Sequence, residues 1–305
     1  MKDQAEKLRE KALKVRKQIE AELNQELKQT RVIVVTSGKG GVGKSTLSLN
    51  IALSICSMGK KVVLMDADLG MANIDIMLGL VPEYNLYHMM LDRKSLKDII
   101  VSGPDGLSII PGGSGISELA NLKEDQLRRI LVELGKLDGD YDYMIIDTGA
   151  GISNNVISFV MASNDVIVIT TPEPTSLTDA YGIVKIAARD SFKGNMYLVV
   201  NRVTNDTEGV LVGEKLRIVI KKFLDMDIKV LGFIANEPLI EEGIRRQEAF
   251  IKAFPKSMAA ADITRISRNL VRGFDEDDPD YNLVSRPGGI KNFFKKFSAF
   301  NRSKR

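Results

Sequence analysis

Between Arg31 and Arg272 the chain alternates short apolar runs with longer stretches of mixed polarity. RVIVVTS from Arg31, KKVVLMD from Lys60, LSIIP from Leu107, YMIID from Tyr143, DVIVIT from Asp165, MYLVVN from Met196 and KVLGFI from Lys229 are such runs. Each is apolar almost without a break, the pattern of a strand covered on both faces. Amphipathic helical patterns lie between most of them. That order predicts an α/β fold, a mainly parallel sheet with helices on both faces.

Two segments outside this body have a helical period. Leu8, Ala12, Val15, Ile19, Leu23 and Leu27 recur at spacings of three and four, so residues 1–29 read as one helix. Asp3 and Glu6 fit a capping box at its start. At the other end, Ile290, Phe293, Phe294, Phe297 and Phe300 fall within an arc of ~120° at ~100° per residue. Lys291, Lys295 and Lys296 flank that arc. An acidic, proline-containing stretch, FDEDDPD, separates this tail from the body. The chain therefore divides into an N-terminal helix (1–29), a body (31–272), a linker (273–287) and a tail helix (288–305).

Composition narrows the partners. The 305 residues carry a net charge of +3 and one cysteine, Cys56. One cysteine excludes a disulfide framework and a cysteine-ligated cluster within one chain. The start is a charged helix and no apolar run approaches ~18 residues, so a cytosolic protein is expected. From Ser285 to Arg305 there are seven bases and no acid, so subtracting them from +3 leaves the rest at −4. A body that is not basic argues against nucleic acid as the partner. An aromatic face flanked by bases, after a flexible linker, fits an anionic membrane surface. The alternative is that the stripe packs on the chain's own body.

The first strand runs into Ser37-Gly38-Lys39-Gly40-Gly41-Val42-Gly43-Lys44-Ser45-Thr46 and then a helical pattern. Strand, Gly-x-x-x-x-Gly-Lys-Ser and helix, in that order, predict a P-loop. Backbone N–H groups curl around phosphate oxygens and the helix N-terminus adds its dipole. Lys44 is placed to neutralise the β- and γ-phosphates, and Ser45 to hold Mg²⁺. The only histidine, His88, reads as a packed or surface residue.

Lys39, a second lysine inside the loop, makes the motif KGGVGKS resemble the deviant Walker A loop of the MinD/ParA family. The resemblance spans about residues 31–272. It implies slow, Mg²⁺-dependent ATP hydrolysis by an ATP-dependent homodimer, with Lys39 reaching the nucleotide of the partner subunit. VVLMDAD is similar to the family's first switch, which implies a metal role for Asp66 and a water-positioning role for Asp68. YMIIDTGAGIS is similar to its second switch, which makes Asp147 a magnesium ligand through water; relatives often have proline at the position of Gly149. YLVVNRV implies that Asn201 reads the adenine edge.

Upstream, Asp3-Gln4-Ala5-Glu6-Lys7-Leu8-Arg9 resembles the DQAxxLR motif of the FlhG family, MinD-like ATPases also called FleN or YlxH. That resemblance implies control of flagellar number and placement. It also implies contact of Asp3, Gln4, Ala5, Leu8 and Arg9 with the GTPase FlhF, whose hydrolysis the motif stimulates. Flagellar C-ring proteins are further possible partners. A MinD-type division-site regulator is the alternative, and a ParA-type ATPase whose basic tail binds DNA is a third.

Overall fold

The fold is described from a computed structural model, for residues 29–68, 73–90, 94–112, 132–272 and 289–303. The expected N-terminal helix, with Asp3, Gln4, Ala5, Leu8 and Arg9, and the acidic linker lie outside the described residues. Every apolar run forms a strand. They are β1 (Arg31–Ser37), β2 (Val62–Ala67), β4 (Ser108–Ile110), β5 (Tyr143–Ala150), β6 (Asp165–Thr170), β7 (Asn195–Val203) and β8 (Lys229–Ala235). An eighth, β3 (Val101–Ser102), has two residues, too few to show a period. The sheet order is β3-β4-β2-β5-β1-β6-β7-β8, with every pairing parallel except β3 with β4.

Alternate residues of each central strand feed opposite cores, as a two-residue period requires. Ile33, Val35, Leu64, Ile145, Ile167 and Val199 point to one side. There they meet α1 (Lys44–Ser57) and, late in the chain, α10 (Met258–Arg272). The ten residues from Leu47 to Cys56 contain six buried apolar side chains, so α1 is enclosed between sheet and helices. Val32, Val34, Met144, Ile146, Val166 and Leu198 point to the other side. Short helices α2 (Ile74–Met77), α3 (Leu86–Met90) and α4 (Leu96–Ile99) link β2 to β3. Then α5 (Asn154–Ala162), α6 (Pro174–Arg189) and α7 (Asp206–Leu224) cross between successive strands, and α8 (Pro238–Arg245) and α9 (Phe250–Ala253) lead into α10. Among the described residues no helix is long and apolar enough to cross a membrane.

The tail forms a helix, α11 (Gly289–Ser303), and its stripe takes the alternative seat, on the chain's own body. The helix lies along α5 and β1, and Ile290, Phe293, Phe294 and Phe297 are 0–5 % exposed. Phe159 of α5 stacks on Phe293 at 6.2 Å between centroids and tilts on Phe297 at 4.6 Å. Ser158 donates to Asn301 Oδ1 at 2.6 Å, near the helix end. Phe300 is half-buried, while Lys291, Lys295 and Lys296 face solvent. The reason is that β1 and α5 present an apolar surface that the body's other helices leave to α11. Burial of these four side chains contributes roughly 6–12 kcal/mol before ordering costs.

Candidate functional site

β1 sits between β5 and β6, so the chain departs to opposite sides of it, and the loop after β1 opens at the crevice where such sheets bind ligands. Gly38, Lys39, Gly40, Gly41, Val42 and Gly43 form that loop, and α1 starts at Lys44. Gly43 is the N-cap with φ 92°, and a Cβ there would lie 2.5 Å from the Asn201 amide nitrogen. Both the left-handed backbone and the close approach require glycine. The first turn of α1 carries no acidic residue, so its open N–H groups present uncompensated positive dipole to the loop.

Under the loop lies a buried charge cluster. Lys44 Nζ is 3.2 Å from Asp147 Oδ1, and Ser48 donates to the same oxygen at 2.9 Å. Asp147 is fully buried within β5, and its Oδ2 has no hydrogen-bond partner. Burial pushes its pKa up, opposed by the Lys44 charge and by the Ser45 and Ser48 hydroxyls. Asp66, level with Asp147 on the adjacent β2, is 1 % exposed. Burial and then the Asp147 charge raise it to about 7, held back by the N–H groups of Asp68, Asn73 and Ile74. Two adjacent buried carboxylates, one with an orphan oxygen, share a single positive charge, that of Lys44, and a divalent cation fits the remaining deficit. Among the described residues no cluster of three or more acid, histidine or cysteine ligands assembles. That set suits Mg²⁺, which keeps waters and phosphate oxygens as its other ligands.

Asp68 follows at the mouth, its N–H donating to Asp66 Oδ1 at 3.1 Å. Its Oδ1 lies 3.5 Å from where a Cβ on Gly149 would sit, so the two switch segments touch there. Lys39 points away from the cradle. Its Nζ is 2.6 Å from Glu173 Oε2 and 3.2 Å from Thr175 Oγ1, and the Glu173 carboxylate is held below its usual range by that contact. Glu173, just before α6, gave no signal in sequence, being one acid in a Thr-Pro-Glu-Pro turn.

Asn201, in β7, lies against the phosphate loop and lines the pocket beside it. Its amide nitrogen donates to Val42 C=O at 2.7 Å, and its Oδ1 accepts from Arg202 N–H at 2.9 Å. In this conformation it ties β7 to the phosphate loop. Beside it opens a pocket bordered by Gly43, Thr46 and Leu47 on one side and by Asn236, Glu237 and Ile240 on the other. Its mixed lining suits a nucleoside base.

A lysine-bearing phosphate loop at the switch point of a parallel sheet holds a triphosphate, and the second lysine at its edge narrows the class to ATPases of the MinD/ParA type. Residues 30–190 match the AAA domain family. The antiactivator FleN of Pseudomonas aeruginosa is 34 % identical over 264 residues, covering 87 % of this chain and 91 % of that protein. The flagellum site-determining protein YlxH of Helicobacter pylori is 35 % identical over 269 residues, 88 % and 89 % of the two chains. The septum site-determining protein MinD of Pyrococcus horikoshii, solved with Mg-ADP, aligns with a TM-score of 0.66 at 27 % identity, covering 79 % of this chain and 96 % of that one. The chain belongs to the FlhG family, the group of FleN and YlxH.

Proposed function

We propose that this chain is an ATP-hydrolysing switch that regulates the number and placement of flagella. The names of its FleN and YlxH relatives support the flagellar part, and the MinD relative's Mg-ADP supports the nucleotide and metal. In this reading ATP lies with its phosphates in the loop from Gly38 to Thr46 and its base in the pocket beside Asn201. Lys44 neutralises the β- and γ-phosphates. Ser45, Asp66 and Asp147 would hold Mg²⁺, which would supply positive charge to the phosphoryl oxygens. Asp68 orients the attacking water. Lys39 leaves Glu173 and reaches the nucleotide of a second copy. Hydrolysis rests on this electrostatic placement, with no strong general base, so turnover is slow.

The membrane is reached by exchange. The aromatic face of α11 is covered either by the body or by the headgroup region of an anionic bilayer. On the bilayer, Ile290, Phe293, Phe294, Phe297 and Phe300 face the acyl boundary, and Lys291, Lys295 and Lys296 each contribute ~1 kcal/mol against anionic lipid. Two helices on one ATP-bound dimer raise affinity by a further ~10²–10⁴. The observation that carries this reading is the Phe159 seat. It lies on α5, which begins at Asn154, directly after the loop that follows Asp147. A shift of that loop on dimerisation moves the seat. Asp3, Gln4, Ala5, Leu8 and Arg9 then meet FlhF near the membrane, and C-ring proteins dock on the body.

The test uses the full chain. Sedimentation with anionic vesicles should rise with ATP over ADP, and GTP turnover by FlhF should rise with the protein but not with Gln4→Ala. Equal vesicle binding with both nucleotides rules out the exchange, and an unchanged FlhF rate returns the chain to the division-site reading.

A further inference from the structure

The two terminal segments of the chain meet at one carboxylate. Asp138 stands in the turn that leads into β5. Its Oδ1 accepts the backbone N–H of Thr30 at 3.1 Å, and its Oδ2 accepts the backbone N–H of Lys291 at 3.3 Å. Thr30 is the last residue before β1, so it is the point where residues 1–28 join the body. Lys291 lies in the first turn of α11.

Each side of this meeting point is built for it. The turn holds Thr30 by its side chain as well: Gly139 N–H donates to Thr30 Oγ1 at 3.0 Å, and Oγ1 donates to Tyr141 C=O at 2.8 Å. On the α11 side, Gly289 has φ +68°, and a Cβ there would fall 2.4 Å from Asp138 Oδ2. The carboxylate therefore occupies space that only glycine leaves open. It also satisfies one of the unpaired N–H groups at the start of α11, and its negative charge sits at the positive end of the helix dipole. None of this serves the nucleotide site.

We propose that Asp138 couples the two ends of the body, so that Thr30, the residue before β1, is firmly held only while α11 is docked. With α11 in place, both carboxylate oxygens have a donor and the side chain holds one orientation. When α11 leaves, Oδ2 loses its donor, the carboxylate turns to water, and the Thr30 N–H loses its acceptor. The approach to β1 at Thr30 is then loosened. The use made of that freedom, an arm released toward a membrane-bound partner, rests on the reading above; the coupling itself does not.

Amide hydrogen exchange on the full chain tests it, read at Thr30 and Lys291. Gly289→Ala pushes on Asp138 from the α11 side and touches nothing at Thr30. Exchange at Thr30 should accelerate about tenfold, the factor for ~1.4 kcal/mol of local stability. Asp138→Ala should accelerate both amides together. Faster exchange at Lys291 with Thr30 at its wild-type rate in Gly289→Ala overturns the coupling, as does an unchanged pair in Asp138→Ala. If Gly289→Ala does not fold, Phe297→Ala loosens α11 from its seat on Phe159 and must move Thr30 the same way. Failure of the membrane reading shows separately, as ATP-independent vesicle binding with the Thr30 response intact.

Discussion

Replacing Phe159 by alanine weakens the seat of α11 and leaves the helix itself unchanged. Phe159 is 3 % exposed and meets both Phe293 and Phe297. An aromatic pair contributes about 0.5–1.5 kcal/mol beyond the area it buries, so losing two shifts docking by roughly 1–3 kcal/mol. That corresponds to a roughly 5- to 140-fold rise in the undocked fraction. The face that enters lipid keeps every side chain, so the rise should appear directly as vesicle binding without nucleotide. Flotation with anionic vesicles at ADP or no nucleotide is the assay. Thermal unfolding alongside it should show a lower midpoint, since a buried Phe→Ala change costs ~3–5 kcal/mol overall. Phe297→Ala is the contrast: it weakens the docked and the lipid-bound states together, so its nucleotide-free binding should rise far less. If Phe159→Ala lowers the unfolding midpoint but binds vesicles at the wild-type level, docking on α5 does not govern membrane access and the reasoning fails.

Other outcomes follow from the site. Lys39→Ala should abolish ATP-dependent dimers in size-exclusion chromatography with light scattering, whereas Glu173→Ala, which frees Lys39 from its exposed partner, should raise the dimer fraction; a drop in both would give Glu173 a role of its own in the dimer. Asp66 titrates at about 7 in the folded protein against 3.8 for a free aspartate. The folded state then binds its proton more tightly, so the nucleotide-free protein loses stability as pH rises from about 4 to about 7. Asp66→Asn should flatten that part of the unfolding-temperature curve, and a slope parallel to wild type would show that Asp66 does not set it.

How much of this could be read from residues alone depends on where each signal lives. The strands were legible because each is a single unbroken apolar run, and the phosphate loop because its glycines, lysine and serine are contiguous. β3 was not, having two residues and an edge position. The base pocket was not either. Its walls come from α1, from the end of β7, from Asn236 and Glu237 after β8, and from Ile240 of α8, and no spacing joins them. Glu173 needed the fold to bring it to Lys39. The direction of the α11 stripe was open in principle, since a sheet face and a bilayer select the same spacing of phenylalanines. Only the apolar surface left over β1 and α5 decides between them for the free chain.

That surface has a consequence for kinetics. When α11 lifts away, the side chains of Phe159 and β1 beneath it lose their cover, just as the helix's own aromatic face does. A detached helix in water thus presents two sticky patches at once, a state open to self-association. In the proposed exchange such a state is sparsely populated and is resolved by return to the seat or by capture at a bilayer. Penalised from both sides, it would leave docked and bound molecules with little between, and a graded nucleotide signal would become a sharp choice of place.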